Sequence, residues 1–213
     1  MRTFFGLLSV AATICLMMSA AFGPTKAWSQ ENHTSHARAI LYEEDLNDPK
    51  GKELVGLVVW RTEMINSSGN RASDIAVRAD VEIPDRKLKM TMVFQRNADA
   101  SLPASHTGEL TFSLPPDFLG GSIGNIPGIL MKTSEQARGT PLGGLVVKIT
   151  SNVFLVGLSN VDADRERNVR SLKERPWFDI PLVYTNQRRA ILAIEKGASG
   201  ERAFNEAFAA WGE

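Results

Sequence analysis

The sequence predicts a mainly β protein, either an antiparallel β-sandwich or a partly open barrel, with a short surface helix and a C-terminal amphipathic helix. Three observations lead to this prediction. Eight segments alternate apolar and polar residues with a period of two, helix patterns appear only in 161–175 and 200–212, and strand and helix patterns do not alternate regularly. The last observation makes a doubly wound parallel sheet a poor description of the chain.

The clearest strand pattern is DIAVRADVEI at residues 74–83. Its apolar positions recur at every second residue, which is typical of a half-buried antiparallel strand. Residues 87–96 repeat the pattern, and Pro84-Asp85-Arg86 between the two segments suits a short turn, so we expect a hairpin. The side chains predicted to face the core are Ile75, Val77, Ala79, Val81, Ile83, Leu88, Met90, Met92 and Phe94.

Six further segments carry shorter strand patterns. Ser151-Asn152 separates two of them and suits a second hairpin. Together with the first hairpin, these segments predict one antiparallel sheet system with no internal repeat. The predicted ranges are 53–60, 107–114, 145–150, 153–159, 178–184 and 189–195.

Two segments predict helices. Residues 161–175 begin with acidic and continue with basic residues, with Asp162 as the candidate N-cap, and their thin apolar face indicates a surface helix. Residues 200–212 place apolar residues at i, i+4 and i+7, which predicts an amphipathic helix that packs on the core, and Gly212 suits its end. The predicted buried face of this helix is Phe204, Ala207, Phe208 and Trp211.

The first 29 residues have the layout of a secretory signal peptide. Arg2 precedes an uncharged, mostly apolar run from Phe4 to Phe22, and Ala27-Trp28-Ser29 offers a cleavage site before Gln30. A retained N-terminal anchor is the alternative, because such a run is just long enough to span a bilayer. We expect residues 30–38 to form a polar arm, residues 39–213 to form a single domain, and the protein to be periplasmic or secreted.

Charge and cysteine content limit the classes of function that the sequence allows. Arg2 and Lys26 fall in the predicted signal peptide, which leaves 22 basic against 24 acidic residues and no basic excess to bind nucleic acid. The only cysteine, Cys15, also falls there, so the predicted mature chain is cysteine-free and must be stabilised by packing. No later segment has the roughly 18 apolar residues of a membrane span, and none is expected after cleavage.

One stretch resembles a catalytic motif. Residues 120–124, GGSIG, fit the G-x-S-x-G nucleophile elbow of α/β-hydrolases, which needs a strand before the serine and a helix after it. Prolines precede this stretch, glycine and proline follow it, and every histidine of the chain comes before Ser122. We therefore interpret residues 117–128 as a loop whose glycines adopt positive φ. A periplasmic serine hydrolase that uses Ser122 with His106 or Lys132 as the base is an alternative.

Two ligand motifs fail at defined positions. A phosphate-binding P-loop needs glycine directly before Lys132-Thr133, where the chain has Met131. The acidic run from Asn160 starts like a calcium loop, but Arg165 stands at the glycine position and Ser171 at the final glutamate position. No cofactor is predicted.

The histidines also predict no metal site. His33 and His36 lie in the predicted polar arm, so any metal that they bind would be held by the arm and not by a site built into the fold. His106 precedes a predicted strand, and we expect a solvated or hydrogen-bonded surface histidine there.

Two loops form the candidate contact surface. Arg188-Arg189 follows Thr185-Asn186-Gln187 between two predicted strands, so it is expected at an exposed hairpin tip. Such a tip can contact an anionic group, and glycines let a backbone approach a ligand closely. The candidate binding residues are Gly120, Gly121, Ser122, Gly124, Asn125, Arg188 and Arg189.

Several sequence stretches follow one another in the same order as in a known group of proteins. A Leu-Pro-Pro-x-Phe and glycine loop over 114–121 precedes a strand pair, a short charged helix, two strands and a terminal helix with Ala203-Phe204 and Ala207-Phe208-Ala209-Ala210. Over roughly 110–212 the chain thus resembles the invasion-associated locus B family of small exported alphaproteobacterial proteins, although that family typically carries cysteines. The resemblance implies a periplasmic β-sandwich without established catalytic activity and transfers no functional residues. AILYEED, VEIPDRK, GLSNVDADRER and RRAILAIEKG are also similar to stretches of uncharacterised secreted proteins from the same bacteria.

Export, the strand pattern and the lack of a converging acid–base–nucleophile set favour one function. We expect a non-catalytic periplasmic β-sandwich that binds an envelope protein, a glycan or a small ligand. The alternatives are the Ser122 hydrolase and an accessory protein for secretion or assembly that offers an edge strand to a partner chain.

Overall fold

The computed structural model describes residues 36–45, 47–65 and 74–213. The predicted signal peptide and most of the predicted polar arm lie outside the described residues. The first strand begins at Ala37, within the range predicted as the arm, because Ala37, Ala39 and Leu41 turn inward and are buried.

Twelve strands and two helices make up the described chain. The strands are β1 (Ala37–Asp45), β2 (Asp48–Ile65), β3 (Asp74–Ile83), β4 (Leu88–Arg96), β5 (Ala104–Ser113), β6 (Ile123–Asn125), β7 (Leu130–Lys132), β8 (Thr140–Pro141), β9 (Gly144–Lys148), β10 (Val153–Ser159), β11 (Trp177–Tyr184) and β12 (Arg189–Glu195). The helices are α1 (Asp162–Glu174) and α2 (Gly197–Trp211).

The strands form one antiparallel sheet that curls into an open half-barrel. The order is β8-β7-β11-β12-β1-β2-β3-β4-β5-β10-β9, and the short β6 also pairs with β11. The predicted mainly β class and antiparallel pairing are therefore confirmed. Of the two predicted architectures the half-barrel matches the partly open barrel and not the β-sandwich, because the described strands form one sheet and not two. The pairing of β12 with β1, from Ala39 opposite Ile194 to Glu43 opposite Ala190, joins the two ends of the described chain.

The long alternating segments lie where the sequence placed them. β3, β10 and β12 match their predicted ranges, and a 3-10 turn at Pro84–Arg86 joins β3 to β4. The turn ends at Lys87, which adopts the left-handed conformation and donates its amide to the Pro84 carbonyl at 2.9 Å. β1, β6, β7 and β8 were not predicted, and β2 is longer than its predicted range.

Helix α1 lies on the surface beside α2 and β10, as its thin apolar face predicted. Asp162 is not its N-cap, because Val161 occupies that position and no side chain caps the helix. Asn168 anchors the helix, since it donates to the Gly143 carbonyl at 2.7 Å and accepts from the Gly143 amide at 2.8 Å.

Helix α2 packs its predicted aromatic face on the core. Phe204 lies with its ring centroid 5.6 Å from that of Trp60, 5.9 Å from that of Phe94 and 5.8 Å from that of Phe178. Gly212 ends the helix at φ 75°, as predicted. The hydrophobic core therefore fills the space between the inner face of the sheet and α2. None of the helices in the described ranges has both the length and the apolar character needed to cross a bilayer.

Candidate binding site

The structure brings together the two loops that the sequence proposed as a contact surface. The Ser122 amide donates to Thr185 Oγ1 at 3.1 Å, and the Thr185 amide donates to the Ser122 carbonyl at 2.9 Å. The Thr185 hydroxyl donates to the Gly120 carbonyl at 3.2 Å, and β6 pairs Asn125 with Val183. The glycine loop and the tip between β11 and β12 therefore form one hydrogen-bonded unit.

The adjacent glycines of this loop have different physical roles. Gly121 has a positive φ of 78°, as predicted for the loop, whereas Gly120 and Gly124 do not adopt positive φ. Gly120 is needed for close approach, because a Cβ there would lie 2.6 Å from the Tyr184 ring. Gly120, Gly121 and Gly124 thus let the loop pack closely against residues 183–185 of the tip.

Arg188 and Arg189 also differ in what they can contact. The Arg188 guanidinium donates through Nη2 to the Glu44 carbonyl and so ties the tip to the end of β1. The Arg189 amide donates to Glu44 Oε2 at 3.0 Å, but its exposed guanidinium makes no hydrogen bond or ion pair within the described residues. Arg189 is therefore the residue of this pair that is available to a ligand.

A pocket of about 630 Å³ lies beside this unit. Its floor is the side of β1, β12 and β11 that faces away from the core, where Tyr42 lies opposite Ile191 and Ile191 opposite Pro181. Val183 and Pro127 extend the apolar floor towards the glycine loop, and residues 48–52 at the start of β2 also line the pocket. This volume is within the range of small-molecule sites, roughly 300–1,000 Å³.

The pocket rim carries charges of both signs. Asp45 pairs with Lys52 at 2.9 Å, and the pKa of Asp45 is lowered first by the amide of Asn47 and then by Lys52. Asp48 accepts from the amide of Lys50 at 2.9 Å, but the Lys50 ammonium has no partner in the part of the chain that the structure describes. Lys50 and Arg189 are thus two cations without a carboxylate partner on the same pocket.

Tyr42 presents its ring to the pocket, and its hydroxyl is already bonded. The hydroxyl donates to Glu135 Oε1 at 2.8 Å, and burial together with Glu135 raises the pKa of Tyr42 to about 12. The ring packs on a small buried cluster of Ile40, Trp177 and Ala193 on the same side of the sheet. Tyr42 therefore acts as an uncharged, fixed part of the floor.

A buried charged cluster holds β1 from the other side of the sheet. Glu43 turns inward, where it accepts from the Tyr184 hydroxyl at 2.8 Å and from Arg86 Nε and Nη2 at 2.7 and 2.6 Å. Glu43 raises the pKa of Arg86, and burial raises the pKa of Tyr184 well above its ordinary value. The cluster ties the end of β1 to β11 and to the turn after β3, and so positions the strands under the pocket.

The three residues of the hydrolase alternative have separate environments. His106 is buried in β5, with Nδ1 3.2 Å from Ser105 Oγ and Nε2 3.2 Å from Glu213 Oε2. Lys132 is buried in β7, forms an ion pair with Asp179 Oδ1 at 2.7 Å and donates to the Glu135 carbonyl at 2.5 Å. The hydrogen bonds of both candidate bases therefore go to groups other than Ser122.

The expectation of a surface histidine at 106 is wrong. Its ring stacks on Phe94 with centroids 5.5 Å apart and lies 5.2 Å from the Trp211 ring. Burial lowers the pKa of His106, although the Glu213 carboxylate opposes that shift. The residue stands at the start of an alternating strand rather than in a loop, because β5 begins at Ala104.

Among residues 36–45, 47–65 and 74–213, no group of three His, Cys, Asp or Glu side chains is arranged to hold a metal ion. The acidic run at the start of α1 instead forms an ion pair between Asp164 and Arg167 at 2.6 Å.

This chain matches no known protein family, no curated protein and no solved structure.

Sequence reasoning identified Arg189 but not the pocket that it borders. The missed lining residues include Tyr42, Lys50 and Ile191, and Tyr42 belongs to the unpredicted strand β1. The alternation of Ala37, Ala39 and Leu41 was the local signal for that strand.

Proposed function

We propose that this protein is an exported, non-catalytic binding module whose pocket takes a small amphiphile with one anionic group. The observation that carries the proposal is the pairing of an apolar floor with two cations, Lys50 and Arg189, in one pocket of about 630 Å³, where neither side chain has a partner among the described residues. Its export is inferred from the N-terminal signal-peptide pattern.

The floor favours an apolar chain or ring. Ile191 is 39% exposed although it lies in a strand between two others, so its burial by a ligand would remove apolar surface from water. Pro181 and Val183 are half-buried beside it and lack side-chain polar groups that a ligand would have to satisfy. The centre of the pocket therefore suits hydrocarbon better than sugar hydroxyls.

The rim favours an anionic head. The guanidinium of Arg189 offers several donors in a planar fork, which suits a phosphate, sulfonate or carboxylate. Glu44 bonds the Arg189 amide, and this bond fixes the backbone from which the side chain extends. Arg188 acts as a positioning residue, since its guanidinium is bonded to the Glu44 carbonyl.

Titration with the fluorescent probe 8-anilino-1-naphthalenesulfonate tests this proposal, because the probe has aromatic rings and one sulfonate. We expect Arg189→Ala and Lys50→Ala each to weaken binding by roughly 3- to 10-fold, the range for a partly solvated charge-assisted contact. Arg170→Ala is the matched control, since Arg170 is an exposed arginine on α1 outside the pocket. Equal affinities of the Arg189→Ala and Arg170→Ala variants would refute the role of the rim.

The floor has its own test. Ile191→Asp places a carboxylate on the floor and should abolish probe binding, whereas Val55→Asp, at an exposed valine of β2 outside the pocket, should not. Dodecyl phosphate should displace the probe, and inorganic phosphate should not. If inorganic phosphate displaces it equally well, or if Ile191→Asp binds normally, the amphiphile proposal is wrong.

A further inference from the structure

One edge of the sheet carries an exposed apolar row. Within residues 36–45, 47–65 and 74–213, β9 is the last strand on its side of the sheet and pairs with β10 alone. Leu145 is 75% exposed, Val147 52% and Ile149 57%, and the alternation of these residues places them on one face. Large exposed aliphatic residues in a row on an edge strand are a recognised template for pairing with another chain.

The hydrogen bonds at the two ends of β9 show which main-chain groups are free. The Ile149 amide donates to the Val153 carbonyl at 2.8 Å, and the Ser159 amide donates to the Gly143 carbonyl at 2.9 Å. In an antiparallel ladder only alternate residues bond to a given neighbour. Residues Gly144, Val146 and Lys148 therefore turn their N–H and C=O groups towards the open edge.

This edge lacks the usual protection against pairing. Natural edge strands carry prolines, bulges or outward charges, and residues 144–149 contain no proline and a single charge. That charge, Lys148, turns away from the apolar row, since its ammonium donates to the Ile123 carbonyl at 2.6 Å and lies 5.6 Å from the Phe154 ring centroid. As far as the described part of the chain goes, the row and the free main-chain groups are open to a partner strand.

We propose that β9 pairs antiparallel with β9 of a second copy of this chain, with the twofold axis at Val146. In this register Val146 lies opposite its own copy and Gly144 opposite Lys148, so all three free positions exchange both hydrogen bonds. Leu145 then lies opposite Val147 on the outer face, and the apolar rows of the two copies cover each other.

The strand is complementary to itself in charge as well as in shape. Lys148 faces glycine in this register, so no like charges oppose each other and the lysine meets no bulky side chain. A twofold interface requires this kind of self-complementary patch. β9 does not line the proposed ligand pocket, so the dimer proposal and the pocket proposal can be tested independently.

Sedimentation velocity over a concentration series tests the association. The full chain is expressed, and the protein is purified as the cells process it. We expect a reversible dimer in the micromolar range, because the interface is small. Val147→Lys should shift the protein to monomer, and Val55→Lys, the same change at a valine 56% exposed on the interior strand β2, should leave the dimer unchanged. A wild-type monomer at all concentrations, or equal effects of the two variants, overturns the proposal.

Cysteine crosslinking tests the register without depending on Val147. In a Cys15→Ser background, Val146→Cys should form an intermolecular disulfide on mild oxidation, because hydrogen-bonded antiparallel partners have Cα atoms about 5.5 Å apart. Lys148→Cys should not, since the two copies of residue 148 lie four positions out of register. Crosslinking of Lys148→Cys but not Val146→Cys would exclude the proposed pairing.

Discussion

Removal of Arg86 should strongly destabilise the protein, because it leaves the Glu43 carboxylate buried without its cation. The side chain of Glu43 is 5% exposed and that of Arg86 16%, and Arg86 donates to Glu43 through both Nε and Nη2. Breaking a buried pair by removing one partner costs about 3–5 kcal/mol. We therefore expect Arg86→Met to lower the free energy of unfolding by about that amount.

The double variant tests the cause of this loss. Glu43→Gln combined with Arg86→Met removes the unpaired charge and keeps a hydrogen-bonding group near Tyr184, so it should recover about 2–3 kcal/mol of the loss, near the upper limit of measured couplings. Lys89→Met is the matched control, because Lys89 pairs with Glu82 at 3.5 Å with side chains 64% and 44% exposed. That exposed pair should contribute about 0.5 kcal/mol or less.

Urea unfolding followed by tryptophan fluorescence measures all four proteins under one set of conditions. If Arg86→Met costs no more than Lys89→Met, or if the double variant is less stable than Arg86→Met, the cluster does not act as a buried ion pair.

Three further predictions concern the core, a buried lysine and the serine of the glycine loop. Phe204→Ala should cost about 4–5 kcal/mol in urea unfolding, at the upper end for phenylalanine, because Phe204 is 1% exposed among four other aromatic rings; a loss below about 2 kcal/mol would contradict this packing. Burial lowers the pKa of Lys196 from 10.5 to about 8. Between these values the unfolded chain binds the extra proton, so unfolding free energy should rise with pH by up to about 1.4 kcal/mol per unit relative to Lys196→Met; a constant difference between the two proteins from pH 7 to 10 would contradict the shift. A fluorophosphonate probe should not label Ser122 above the level seen with Ser122→Ala, and stoichiometric labelling would instead support the hydrolase alternative.

The candidate site shows where prediction from the sequence ended. The position of Arg189 at a tip was predicted because a polar turn between two alternating segments is a local feature. The difference between Arg188 and Arg189 was not predicted, since it depends on the Glu44 carbonyl, which is distant in the chain. The burial of His106 was not predicted for the same reason, because the aromatic rings that pack against it come from β4 and α2.

The sequence by itself determined β3, β4, β5, β10, β11 and β12, the hairpin of β3 with β4, and the C-terminal helix. A strand between core and solvent must alternate apolar and polar side chains, and a helix on a core must repeat its apolar residues every three or four positions. Both patterns can therefore be recognised within a short segment of sequence. β6, β7 and β8 are too short to show a period, and they form only because β11, or β7 in the case of β8, offers an edge to them.

Only the tertiary structure decided which strands are neighbours and hence where the pocket lies. The pairing of β12 with β1 brings Ile191 and Arg189 beside the residues of β1, and the closure of the 117–128 loop on Thr185 adds Pro127 to the same pocket. Such contacts depend on the complementarity of distant surfaces after long loops have closed, and no local period encodes that complementarity.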